Sequence, residues 1–128
     1  MSTSPLRAAL RERLTVAMRE RDRATAAALR STLAALENAE AAPVLADAGP
    51  TTSSHVAGAA PGIGAAEAER LVLDGPAEAA IVKVEVEGLR EAAATYAQLG
   101  EGGRAAAALH AADLVTGVVH SVLGTTWG

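Results

Sequence analysis

The sequence predicts an all-α fold: an antiparallel helical hairpin plus two longer helices in a small bundle, interrupted by a long Pro/Gly-rich loop. Three observations predict it. Half of the 128 residues are hydrophobic, and 33 of those are alanine, the strongest helix former. Aromatic volume is one Trp, one Tyr and no Phe, which leaves little of the bulk that strands draw on. Leucine and valine recur at helical rather than alternating spacing over most of the chain. The length fits one domain, 1–128. The absence of cysteine excludes a disulfide scaffold, and a charged fraction of only 20% disfavours a disordered chain.

The hairpin occupies residues 1–42. Ser4-Pro5 is a helix start, with Ser as N-cap and Pro at the first helical position. Leu6, Leu10, Leu14, Ala17 and Met18 follow at helical spacing. Asp22 is placed to cap a second helix whose stripe is Ala26, Leu29, Leu33 and Leu36. This helix is expected to end near Ala42, because Pro43 disfavours the helical conformation in the residue before it. With almost no loop between them, the two segments read as an αα-hairpin or one long bent helix.

Residues 43–64 hold three Pro, four Gly and a Thr-Thr-Ser-Ser run, and are expected to form a flexible loop. Residues 65–123 are the second helical part. A short helix is expected over Ala65–Leu73, and Asp74-Gly75-Pro76 restarts the chain as a longer one. Val82 to Glu87 alternates apolar and charged residues, a strand pattern. Over a longer window Ile81, Val82, Leu89, Ala92, Ala93, Tyr96 and Leu99 share one side of a helix, and the Ala run beyond Gly88 favours helix. Gly100-Glu101-Gly102-Gly103 then breaks the chain. The last helix, from about Arg104 to Leu123, carries Ala105, Leu109, Ala112, Thr116, Val119 and Leu123 on one face and Leu114, Val118 and Val122 on another. A helix apolar on two sides is central in the fold or contacts a partner. Residues 124–128 are a tail. Its Trp127 is a frayed end or, if ordered, a docking anchor.

The net charge of −4 conceals an asymmetry. Residues 1–30 carry seven Arg against Glu12, Glu20 and Asp22, or +4; the remainder carries four basic and twelve acidic groups, or −8. Such halves attract each other within the fold, or the basic one meets a polyanion. Arginines within the first thirteen residues leave no room for the apolar core of a signal peptide. No run reaches the roughly 18 apolar residues of a membrane span. A cytoplasmic protein without membrane contact is the expectation.

Few residues suggest chemistry. There is no cysteine nucleophile and no G-x-S-x-G elbow, and Gly62-Ile63-Gly64 lacks the third glycine of a dinucleotide fingerprint. No catalytic residue, metal or cofactor is expected. His110, Asp113, Gly117 and His120 fall on one seam of the last helix, which reads as its solvated face or as a carboxylate-oriented imidazole pair. Glu85 lies within an apolar stripe, where a carboxylate costs free energy unless paired; Arg30, Lys83, a partner's basic group or water would satisfy it. Glu40 poses the same question on the second helix.

The stretch Leu10 to Ala42 resembles the opening hairpin of the GatB/YqeY family, with Leu14, Ala17, Met18, Leu29, Arg30, Ala34, Asn38, Ala39 and Glu40 on the family's pattern. Gly62–Leu73, Ile81–Leu99 and Arg104–Leu114 are similar to its later segments. In one respect the chain departs: family members carry a Tyr-Leu-Pro and a further helical part, and Val115 to Gly128 contains no such motif. The resemblance implies an all-helical domain related to the tail of the Asp/Glu-tRNA amidotransferase B subunit, which helps to hold tRNA. It also carries the family label of carbon–nitrogen ligase with glutamine as amido-N-donor. Three functions follow as expectations. One is a non-catalytic module binding tRNA or a protein through Arg7, Arg11, Arg19, Arg23 and Arg30. The others are an enzyme or accessory of glutamine-dependent amide transfer, and a homo-oligomer paired through the last helix.

Overall fold

Four helices make up the fold, and no strand occurs among the described residues: α1 (Pro5–Arg19), α2 (Arg23–Thr52), α3 (Gly75–Gln98) and α4 (Gly102–Leu123). The structure, a computed structural model, describes residues 4–52 and 72–127 and, of these, the side chains of all but 42–52. Three starts use the caps that the sequence offers. Ser4 Oγ accepts from the Arg7 N–H at 3.1 Å. Asp22 Oδ1 accepts from the Thr25 N–H at 3.2 Å, and Asp74 Oδ1 from the Ala77 N–H at 2.9 Å. Each bond satisfies a first-turn donor that has no partner within its helix.

The helices run alternately up and down. One end of the bundle gathers Arg7, Glu40 and Glu78, and the approach of Leu123 to Gly75. The other carries the two tight turns, α1–α2 and α3–α4. Between the ends, Leu6, Leu10, Leu29, Leu36, Val82, Val86, Val115 and Val119 are fully buried in one apolar core. Nearer the turns the core thins to Ala93, Ala105 and Ala108 with Tyr96 against them. Small side chains there let the helices approach closely, and α3 and α4 share the most extensive contact in the fold.

Helix α4 packs on all three others, so its two apolar sides mark a central position. By length and composition it is also long and apolar enough to cross a membrane. His110, Asp113 and His120 interrupt any continuous apolar run along it. The strand-like alternation at Val82–Glu87 resolves as helix: Val82 and Val86 are buried, whereas Val84 is 65% exposed. The tail is ordered through Trp127. Gly124 takes a left-handed conformation (φ 70°) that ends α4, and Trp127 folds back onto the core.

Several expectations are corrected. Helix α2 continues through Pro43 to Thr52 instead of ending near Ala42, so residues 43–52 of the expected loop are helical. A proline inside a helix forfeits one hydrogen bond, and α2 runs past that loss at Pro43, after the Ala-rich turns before it, and past a second at Pro50. The rest of the loop and most of the helix expected at 65–73 lie outside the described residues; Val72 and Leu73 are not helical. Met18, Leu99 and Leu109, placed on apolar stripes, are 53%, 70% and 46% exposed because no neighbouring helix covers their edge. Arg7, expected on the basic surface, is buried.

Candidate functional site

The two turns at one end of the bundle share a construction. In the first, the Asp22 N–H donates to Ala17 O at 2.9 Å and the Arg21 N–H to Met18 O at 3.2 Å. In the second, the Glu101 N–H donates to Tyr96 O at 2.8 Å and the Gly100 N–H to Ala97 O at 3.1 Å. Both patterns close a helix with a pair of reversed bonds and one left-handed residue. The second turn places Gly100 there (φ 78°), the residue that adopts this conformation without cost. The first places Arg21 there (φ 58°). A side chain in that region costs about 1–2 kcal/mol. Asp22 then serves both helices, closing α1 with its N–H and capping α2 with its carboxylate.

Around this turn lies an open cleft of ≈ 440 Å³, walled by α1 and the first two turns of α2. Ala17, Met18 and Ala26 form its apolar side; Arg21, Arg23, Arg30 and Asp22 its polar side. Arg23, Ala26 and Arg30 share one face of α2 by helical spacing. All three arginines are exposed, and none is ion-paired among the described residues. Asp22 is held ionised. The neighbouring Thr25, whose N–H it accepts, and His110 together outweigh burial and keep its carboxyl below the ordinary value of 3.8.

The remaining sequence candidates part company. Arg7 Nη2 meets Glu40 Oε2 at 2.6 Å and donates to Leu36 O at 3.4 Å, while its Nε lies 3.9 Å from Glu78. Arg7 and Glu40 are thus a structural pair, and Arg7 is withdrawn from any surface ligand. Arg11 pairs with Glu37 at 3.5 Å across α1 and α2. Arg19 is exposed at the end of α1. Glu85 is half-buried and accepts from the Ser31 hydroxyl at 2.8 Å, which joins α2 to α3 without Arg30 or Lys83. The seam on α4 is exposed, and its members turn to different neighbours. His110 Nε2 lies 3.9 Å from Asp22 Oδ2 and Asp113 lies 3.9 Å from Arg90, while His120 Nδ1 is 3.3 Å from Thr126 Oγ1. Among the described residues no three His, Asp or Glu side chains are grouped to hold a metal.

Two residues escaped the reading of the sequence. Glu78 is 3% exposed, and the spacing 78, 82, 86 already put it in line with Val82 and Val86. Arg21 carries no such signal, because a left-handed residue between helices is ordinarily marked by Gly or Asn. The clue was their absence: the turn between α1 and α2 contains neither. Comparison with family models, curated proteins and solved structures found no match to this chain.

Proposed function

We propose that this chain is a non-catalytic helical module of GatB/YqeY type that binds RNA, with tRNA as the favoured partner, through the arginine cleft at the hairpin tip. One observation carries the reading: Arg21, Arg23 and Arg30 converge on one open cleft and are left unpaired by a fold that ties Arg7 and Arg11 to carboxylates. Guanidinium groups match phosphate geometry, and they present flat faces to bases. The resemblance of the hairpin supplies the choice of tRNA, and a cytoplasmic location follows from that choice.

The test is a gel shift with total tRNA at rising salt. Single-stranded contacts lose affinity with a slope of about −0.7 per phosphate neutralised, so three arginines give roughly a 20-fold loss between about 50 and 200 mM salt. No shift at low salt would end the RNA reading. Hydrolysis of glutamine by the purified chain would put amide-transfer chemistry in its place, and a concentration-dependent dimer in light scattering would favour self-association.

A further inference from the structure

The hairpin turn keeps an arginine where its counterpart turn keeps a glycine. Gly100 shows how this fold closes such a turn without strain, and nothing lies within 4 Å of where a side chain would stand there. Arg21 accepts the strained conformation, and its side chain lines the cleft. Residues held in sparsely populated backbone regions cluster at ligand sites. The cleft itself is of mixed character. At ≈ 440 Å³ and open to solvent, it has room for a base without enclosing it. Ala17 and Ala26 are buried beneath it, and Met18, 53% exposed, adds a polarizable thioether of the kind that rests well against an aromatic ring. Asp22 lines it too, and its carboxylate repels a bare phosphate. That same carboxylate accepts hydrogen bonds from a ribose hydroxyl or a base amino group.

Resting on the RNA reading above, we infer that the cleft is a subsite for one unpaired nucleotide, and that Arg21 anchors it. The base lies against Met18 and the two alanines. Arg23, Arg30 and Arg21 take the phosphates on either side, and Asp22 accepts from the sugar or the base edge. An A-form duplex keeps its base faces stacked inside, so it offers this cleft phosphates and 2′-hydroxyls but no base face for Met18. The site therefore selects loops, bulges and ends over paired stems.

The test measures fluorescence anisotropy of the full chain with two labelled RNAs, a single strand of about eight nucleotides and a duplex of about 16 base pairs, at equal salt. The single strand should bind about tenfold tighter, the scale of one stacked base. Arg21→Gly should weaken the single strand by about fivefold or more and the duplex by a smaller factor, that of one phosphate contact, while raising the denaturant midpoint because the turn is relieved. That raised midpoint shows that the loss is not one of folding. Met18→Gln, on the exposed wall, should lower the single-strand preference without altering the salt slope. Equal binding of strand and duplex, with tRNA still bound, would overturn the subsite and leave the RNA reading standing. Failure of tRNA, strand and duplex alike would remove both. Full binding by Arg21→Gly would overturn the role of Arg21.

Discussion

Removing Arg7 should destabilise this protein more than removing any other charged side chain. Among the described residues its guanidinium is the only cation in a cluster with Glu40 and Glu78, and the three side chains are 11%, 19% and 4% exposed. Arg7→Met keeps most of the apolar stem and strips the charge. Two carboxylates are then left in a poorly solvated seam among α1, α2 and α3, and Leu36 O loses a donor. Breaking a buried pair from one side costs about 3–5 kcal/mol. Set against about 5–15 kcal/mol for a whole domain, that is a large fraction of the stability. Urea unfolding followed by circular dichroism and by Trp127 fluorescence measures it, because Trp127 packs on the same core. The two carboxylates should differ. Glu40 sits at 2.6 Å from the guanidinium, while Glu78 stands at 3.9 Å, nearly buried and poorly matched. Glu40→Gln should therefore destabilise, and Glu78→Gln should be neutral or stabilising, because it leaves one cation facing one anion. Arg7→Met in the Glu40→Gln, Glu78→Gln background should cost far less than alone. A loss below about 1 kcal/mol for Arg7→Met in the natural background would refute the cluster as a stabilising unit.

Other predictions follow from the helices. Gly88 and Gly117 are exposed in helix interiors with open space around their missing side chains, so Gly88→Ala and Gly117→Ala should each raise stability by about 0.5–1 kcal/mol; a lower denaturant midpoint would contradict the geometry. Asp22→Ala should cost about 1 kcal/mol at neutral pH through loss of the α2 cap. Because folding lowers the Asp22 pKa, the charge contribution is full above its ordinary value of 3.8 and is lost as pH falls through the lower folded value. The gap between wild type and Asp22→Ala should thus narrow only in acid, and a gap that narrows on the alkaline side would reverse the sign of the argument.

The sequence is most legible where one physical rule acts alone. Ser4, Asp22 and Asp74 each stand before a helical stripe, and each caps a helix. Val82 to Glu87 obeyed two patterns at once, and the longer apolar period decided in favour of helix, since Val84 could face solvent at little cost while Val82 and Val86 could not be exposed together. Pro43 misled, because a local steric rule was set against helix propagation on both sides. The polar sites were less legible. Glu85 was recognised as a carboxylate in need of a partner, but Ser31 lies 54 positions away and periodicity carries no information about which helices face each other. Arg7 shows the same gap: its charge was visible, and its burial depended on Glu40 and Glu78 arriving from two other helices.

The asymmetry of charge has two readings, internal attraction or a polyanionic partner, and the two ends of the fold differ in how far they satisfy the first. At the end where the chain begins, Arg7 and Arg11 meet Glu40, Glu78 and Glu37, so attraction between the basic and acidic parts is spent inside the structure. At the turn end, Arg21, Arg23 and Arg30 share their cleft, among the described residues, with a single carboxylate, Asp22, which caps α2. On α3 and α4, Glu85 answers Ser31 and Asp113 answers Arg90. An alanine-rich bundle has a thin core and little aromatic bulk with which to enclose a ligand. What it offers instead is a short hairpin turn with three arginines around one open cleft. Under the proposed RNA contact, the unpaired arginines at the turn and an arginine at a position that Gly100 fills without strain have one common account.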